Sequence, residues 1–488
     1  MKLLKDILLN VAIEQVVGST SVEVEALSFD SRTVSKSTCF IAIRGEKANG
    51  HHFITKAIDS GASAIICDTL PEQLVSNVTY IRVDDTRVAL AHLANNYYNQ
   101  PSQKLQLVGV TGTNGKTTVS SLLFQLFKDL GFSVGLISTV VIKINDKDIP
   151  TNLTTPDSIT INNTMSKMVE AGVDYCFMEV SSHGIDQKRA LGLDFDAAIF
   201  TNLSHDHLDY HNSFEEYRNV KKRLFDQLKP QAVAITNIDD KNGRFMLQNT
   251  SANQLTYAIK SIADVKAKIL EKNFDGLKLD LDGQEIWSSF LGEFNVYNLL
   301  AVYATALQFC TDKLQILQAI TRLKPVAGRF QHMVSPHQNI HAIVDYAHTP
   351  DALQNVLKSI NAIRTHNETL ITVVGCGGNR DKSKRPKMGK IATQLSNKVI
   401  FTSDNPRFED PDEIIADIET GVEPQNTSKY IAISNRAQAI KTACQQVQPN
   451  DIILIAGKGH ETYQDTKGIK HDFDDREHIL ENFKLFKL

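Results

Sequence analysis

The chain has 488 residues, 42% hydrophobic and 22% charged, which suits two to four cored domains at roughly 100–200 residues each and excludes a low-complexity or disordered protein. A net charge of −4 excludes a global attraction to nucleic acid or anionic membranes, so an anionic ligand must be held by local groups. No apolar run reaches the roughly 20 residues that span a bilayer, the six cysteines form no CxxC pair, and the amphipathic start MKLLKDILLNVAI has no cleavage-site pattern, so a reduced, soluble, cytoplasmic protein is expected.

Residues 1–100 alternate short β-rich runs (VEVEALSFDSR, CFIAIRG, SAIICDT, TYIRVDD) with helical ones (FITKAIDSG and 87–99), which predicts a small α/β domain. Residues 101–332 open with the apolar run into LVGVTGTNGKTT. FSVGLIST, DYCFMEV, AAIFTNL and AVAITN follow as further buried strands, and such runs predict a parallel sheet covered on both faces. A strand-rich meander is expected over 264–290, with helices at 295–309 and 313–322. Residues 333–488 repeat the strand–helix alternation (IHAIVDYA, TLITVVGCGG, KVIFTSD, KYIAIS, DIILIAG), predicting a second, Rossmann-like doubly wound sheet. The fold class is therefore α/β in three domains.

Ligands of open α/β sheets bind beyond the carboxyl ends of the strands, and the notable polar residues fall at such ends. Leu107–Thr118 reads as a phosphate cradle. Its glycines let backbone N–H groups turn inward, Lys116 adds a point charge and Thr117 offers a hydroxyl to Mg²⁺. The strict P-loop spacing wants glycine at 110 and finds Val110, with Gly112 supplying the flexibility. Glu179 suits an Mg²⁺ ligand as well as it suits a turn carboxylate. His205, Asp206, His207, Asp209 and His211 could hold zinc, but their spacing matches no HExxH or closed Cys/His site, and a magnesium–phosphate role is more economical beside a P-loop. Lys221 and Lys222 lie in an amphipathic helix, where solvated lysines are the ordinary reading.

Ten ordered motifs resemble the Mur ligase superfamily of ATP-dependent amide-bond-forming enzymes of peptidoglycan synthesis: TGTNGKTT (111–118), MEVSSHGI (178–185), TNLSHDHLDYH (201–211), YRNVKKRLF (217–225), GEFNVYN (292–298), GRF (328–330), DYAHTPDAL (345–353), GCGGNRDKSKRP (375–386), DNPR (404–407) and AGKGHE (456–461). DSR at 30–32, TTPD at 154–157 and SSHG are similar to the members that extend UDP-N-acetylmuramoyl-L-alanyl-D-glutamate (UDP-MurNAc-L-Ala-D-Glu) by a third residue. The resemblance implies that Gly112, Thr113, Asn114, Gly115, Lys116, Thr117 and Thr118 cradle ATP, with Asn298, Arg329, Asp345 and His348 around the nucleotide. It implies metal-site roles for Thr117, Glu179, His207 and a carbamylated Lys221, with Lys116, Lys221, His207 and His348 as the catalytic set. Ser31, Thr154, Thr155, Ser181, Gln187 and Arg189 are implied as contacts to the UDP-sugar dipeptide. Arg385, Asp404, Asn405, Pro406, Arg407, Gly457 and Glu461 are implied as the pocket of the incoming amino acid. DNPR implies meso-diaminopimelate rather than L-lysine, because a guanidinium grips the distal carboxylate that lysine lacks. Cofactors are then ATP and Mg²⁺, with no nucleic-acid partner, and a monomer is expected. A folylpolyglutamate-type ligase shares the P-loop but not the DSR, SSHG and DNPR set, and a non-catalytic nucleotide switch would not need Lys116, Thr117, Glu179 and Lys221 together.

Overall fold

The computed structural model describes the chain apart from Glu46, Lys47, Asn152, Leu208 and Asp209; the Asp209 of the acidic–histidine cluster thus lies outside the described residues. The N-terminal sheet runs Ile13–Val17, Thr79–Val83, Ala62–Cys67, Thr38–Ile41, Ala26–Ser28, parallel except at its first pair. Its helix Thr86–Tyr97 is capped by Asp85, whose carboxylate accepts from the Arg87 and Val88 N–H groups, as an N-cap aspartate should. Against the amphipathic reading of the first residues, only Leu4–Ile7 is helical there.

The central sheet has eleven strands. From Val134–Ile137 through Tyr175–Glu179, Gln106–Thr111, Ala197–Phe200, Val233–Asn237 and Asn253–Ala258 to Val265–Asn273 every neighbour is parallel. The first five of these strands are the continuous apolar runs of the sequence, buried on both faces, with helices Lys116–Asp129 and Glu293–Phe309 on one of them, whereas Asn253–Ala258 and Val265–Asn273 are partly exposed. Both edges depart from the parallel expectation. An antiparallel hairpin, Ile142–Ile144 with Lys147–Ile149, extends one edge, and the meander Val265–Asn273, Gly276–Leu281, Gln284–Ser288 continues the other. The C-terminal sheet, ordered Gln331–Val334, His341–Asp345, Ile452–Ala456, Leu370–Val374, Lys398–Phe401, Tyr430–Ala432, is parallel except for its first strand.

The turn of the meander carries Phe274 onto the C-terminal sheet. Its ring stacks on His341 at 4.2 Å between centroids, and His341 in turn hydrogen-bonds His332 at 2.9 Å. Burial and the neighbouring His341 push the His332 imidazole down to about 4, and burial lowers His341 as well, with Asp275 opposing both. Both rings are neutral at pH 7 in the folded protein, whereas in the unfolded chain they gain protons below about pH 6.5. Stability from this contact is therefore complete above that value and lost as pH falls towards 4. Thermal melts should show a fall of at least about 2 °C between pH 7 and pH 5, shallower in a His332→Gln variant; identical profiles for the two proteins would contradict this.

Candidate active site

Strand register assembles the site. Glu179, the last residue of its strand, pairs with Val110, and Phe200 pairs with Thr111, so the loops after all three strands leave the sheet together. Val110 is a fully buried strand residue, and the turn falls two positions later at Gly112, whose φ of +148° only glycine adopts freely. A Cβ at Gly112 would overlap Thr201 Oγ1. The neighbouring strand end acts as a template for the loop: Thr113 N–H donates to the Asn202 carbonyl at 2.8 Å, and Asn114 N–H to Asn202 Oδ1 at 2.9 Å. Asn298 closes the other side, its Oδ1 only 2.7 Å from where a Cβ of Gly115 would sit.

Lys116 Nζ donates to the carbonyls of Gly112 (3.0 Å) and Thr113 (2.9 Å), and Lys221 Nζ reaches the same Gly112 carbonyl at 2.9 Å. Lys221, far from solvated, is 1% exposed on helix Phe214–Asp226. Burial, then the Lys116 charge, drive its amine well below the ordinary lysine range, Asp206 opposing. Its neighbour Lys222 is buried too and pairs with Asp226 and the Gln248 carbonyl. The amphipathic reading failed for both, since a hydrophobic pattern does not reveal a carbonyl waiting at the helix's inner side.

A cavity of about 1700 Å³ runs from this loop to the carboxyl edge of the C-terminal sheet. Its wall contains Thr113 to Thr118, Thr154, Thr155, Glu179, Ser181, Arg189, His207, Asn298, Arg329, Asp345, His348, Asp404, Asn405, Arg407, Gly457 and Glu461. Gly112 and Lys221 lie beneath it, joined to it by the shared carbonyl. Gln187 stands behind the wall and holds Arg189, accepting from its Nε and Nη2 at 3.2 and 2.6 Å, while Arg189 Nη1 donates to the Thr155 carbonyl. Ser31 is buried in the loop where Asp30 chelates Arg32; no described residue of 1–100 lines the cavity.

Two residues of the implied amino-acid pocket are placed differently. Pro406 is outside the cavity wall. Arg385 is fully buried, its guanidinium held by Glu409 at 2.9 Å and Asp417 at 2.8 Å, so its charge is already spent within the protein. The arginine of the same motif that lines the cavity is Arg380, which sequence spacing could not distinguish from Arg385. It flanks Gly377 together with Arg407, whose Nη1 donates to the Gly378 carbonyl at 2.8 Å. Asp206 and His205 of the acidic–histidine cluster also line the cavity, and so do Lys384 and Tyr346, to which the sequence motifs assign no role.

Among the described residues no three His, Cys, Asp or Glu side chains gather closely enough to hold a metal ion by themselves, but the groups implied for Mg²⁺ are donors of the kind a hard cation takes. Glu179 is fully buried, and among the described residues its carboxylate accepts from Thr139, through the N–H at 2.8 Å and the hydroxyl at 3.0 Å, which leaves lone pairs for the cavity it lines with Thr117, Asp206 and His207. Such oxygens with one imidazole suit magnesium better than a closed zinc site. Burial, then Lys116, His183 and Lys221, push His207 down to about 3 against the pull of Asp206, so the imidazole is neutral and able to ligate. His207 also holds a left-handed φ of +54°, a strain of the kind concentrated at functional sites. His348 Nδ1 lies 2.8 Å from the Tyr346 carbonyl, which only accepts; Nδ1 therefore carries the hydrogen and Nε2 the lone pair. Burial and Lys384 keep this ring neutral. Burial raises Asp345 to about 6, with Arg329 and the Phe330 N–H, 2.6 Å from its Oδ2, opposing.

Family models match this arrangement in three consecutive stretches: the Mur ligase family catalytic domain over 23–98, the Mur ligase middle domain over 110–306 and the Mur ligase glutamate ligase domain over 328–459. The UDP-N-acetylmuramoyl-L-alanyl-D-glutamate--2,6-diaminopimelate ligase of Phocaeicola vulgatus is 49% identical over 480 residues, 98% of this chain and 99% of that protein. The chain belongs to the Mur ligase family. A solved UDP-N-acetylmuramoyl-L-alanyl-D-glutamate--2,6-diaminopimelate ligase superposes on this Mur ligase with a TM-score of 0.68 at 34% identity, covering 95% of this chain and 96% of the other. The MurF ligase of Thermotoga maritima, solved with ADP, shares the fold at a TM-score of 0.62 and 19% identity, covering 95% and 97%. Among the described residues no helix is long and apolar enough to cross a membrane.

Proposed function

We propose that this Mur ligase uses ATP to join meso-2,6-diaminopimelate to UDP-MurNAc-L-Ala-D-Glu in the cytoplasm, with 1–100 serving the UDP end, 101–332 the nucleotide and 333–488 the amino acid. The observation that carries the reading is one cavity presenting a phosphate loop at one end and paired guanidinia, Arg380 and Arg407, at the other. The D-glutamate γ-carboxylate attacks the γ-phosphorus of ATP, giving an acyl phosphate and releasing ADP. The amine then attacks the acyl carbon, and the tetrahedral adduct expels inorganic phosphate.

Two anions meet in the first step, so the site must neutralise charge before it can orient the groups. Lys116 and the N–H groups opening helix Lys116–Asp129 cradle the phosphates, and Arg329, 3.2 Å from Thr117 Oγ1, stands beside them. Glu179, His207, Thr117 and the carbamate of Lys221 would hold Mg²⁺, which when bound supplies charge neutralisation between carboxylate and γ-phosphate. The depressed Lys221 amine supports the carbamate, because only the neutral amine adds to CO₂, losing one proton as the N–C bond forms. Neutral His348, with its Nε2 lone pair, takes the proton that the attacking amine sheds. Thr154, Thr155, Ser181 and Arg189 orient the dipeptide; Ser181 caps helix Ser182–Asp186 by accepting the Gly184 N–H and keeps its hydroxyl hydrogen for a ligand.

At the amino-acid end Arg380 replaces Arg385 as the expected partner. Arg380→Ala should raise KM for diaminopimelate at least about tenfold with an unchanged melting temperature, from loss of a charge-assisted hydrogen bond. Arg385→Ala should do the reverse, lowering the melting temperature by several degrees with KM nearly unchanged, since it strands the Glu409 and Asp417 carboxylates. Steady-state kinetics and melts on both variants check this. The reaction itself is tested by phosphate release from ATP with the UDP-dipeptide, dependent on added amino acid. Equal turnover with L-lysine, or none with the UDP-dipeptide, would contradict the reading.

A further inference from the structure

The loop Asp404–Arg407 does not stand alone; the antiparallel hairpin Tyr463–Thr466 with Ile469–Asp472 lies across it. The hairpin turns through Lys467 and Gly468 at φ +53° and +80°, the pair of positive values that a tight two-residue turn demands. That turn brings two backbone groups to Arg407. Arg407 N–H donates to the Asp465 carbonyl at 3.0 Å, and Lys467 N–H to the Arg407 carbonyl at 2.6 Å. Arg407 itself is left-handed, at φ +52°, a conformation an arginine keeps only when its surroundings impose it. Upstream, Gln464 Nε2 donates to the Asp404 carbonyl at 2.7 Å, and Asp465 N–H to Asn405 Oδ1 at 2.9 Å. The outer strand Ile469–Asp472 is exposed along its length, so the hairpin adds little to the core.

We propose that this hairpin sets the pose of Arg407, with Gln464 as the positioning residue that anchors it, and thereby governs which amino acid the cavity accepts. The proposal rests on the role assigned to Arg407 above. Gln464 is outside the cavity wall; it acts by fixing the Asp404 carbonyl and with it the loop that aims the guanidinium.

The test is Gln464→Glu, which keeps the side chain's size and removes the donor. KM for meso-diaminopimelate should rise at least about tenfold, while kcat and KM for ATP stay within about twofold, and the preference over L-lysine should shrink by a similar factor. In an Arg407→Ala background the same substitution should add less than about twofold, because its effect passes through that arginine. An unchanged KM, an equal loss in kcat, or full additivity in the double variant would overturn the proposal. Should the glutamate variant not fold, Gln464→Met carries the same expectations. A wild-type protein that uses the UDP-dipeptide but not meso-diaminopimelate would instead overturn the Arg407 assignment, and this inference with it.

Discussion

Lys221→Ala is expected to lower turnover by about 10³-fold or more, with a melting temperature within a few degrees of wild type. The magnitude follows from losing several kcal/mol of charge neutralisation where two anions meet, at about 1.4 kcal/mol per tenfold in rate. Truncation leaves the Gly112 carbonyl with its second donor, Lys116, so the loop keeps a partner and the fold is spared. The space vacated under the loop is lined by the Tyr217 ring and that carbonyl, and a short carboxylic acid can occupy it. Acetate or formate should therefore restore part of the activity, whereas a neutral amide of the same size should not. Phosphate-release assays across a carboxylate titration measure this; unimpaired turnover would remove Lys221 from the metal site.

Arg407→Ala is the second large effect. Loss of a guanidinium–carboxylate pair should cut kcat/KM for meso-diaminopimelate by about 100-fold, a charge-assisted hydrogen bond contributing roughly 1.5–3 kcal/mol. Turnover of L-lysine, which has no distal carboxylate, should be unchanged or higher, because an unpaired cation no longer confronts it. Arg407→Lys should recover little, since a point charge at the end of a flexible chain cannot reproduce the planar fork that now spans the Gly378 carbonyl and the cavity. Competition between the two amino acids in one assay reads the ratio directly; parallel losses for both would show that Arg407 supports the loop and not the choice of substrate.

Much of this was legible in the chain because the parallel strands are continuous apolar runs and their ends carry the chemistry. Gln106–Thr111, Tyr175–Glu179 and Ala197–Phe200 needed no tertiary information to be found, and their register then brings Glu179 beside the phosphate loop. The half-buried pieces were harder to read. Ile142–Ile149 and Gln331–Val334 mix charged, amide or imidazole side chains with aliphatic ones, and short strands at sheet edges carry a weak pattern. Burial of charge was hidden for a different reason. Arg385 and the fully buried pair Arg436–Asp475 are each neutralised by partners fixed only by the fold, in the latter case 39 residues away, whereas Lys222 meets Asp226 one turn along its own helix and the Gln248 carbonyl only through the fold. Arg385, implied by the motif for the amino-acid pocket, lies outside the cavity wall on the same ground, because a motif states which residues are near and not which way they point.

The crowding at Gly112 has a bearing on drug resistance. A side chain there would meet Thr201 Oγ1 and have to hold a φ of +148°, so substitution at this position is strained, and its carbonyl is a backbone atom that no codon change can delete. An inhibitor that displaced the two lysines and took the hydrogen bonds of that oxygen would lean on an atom that substitution cannot remove.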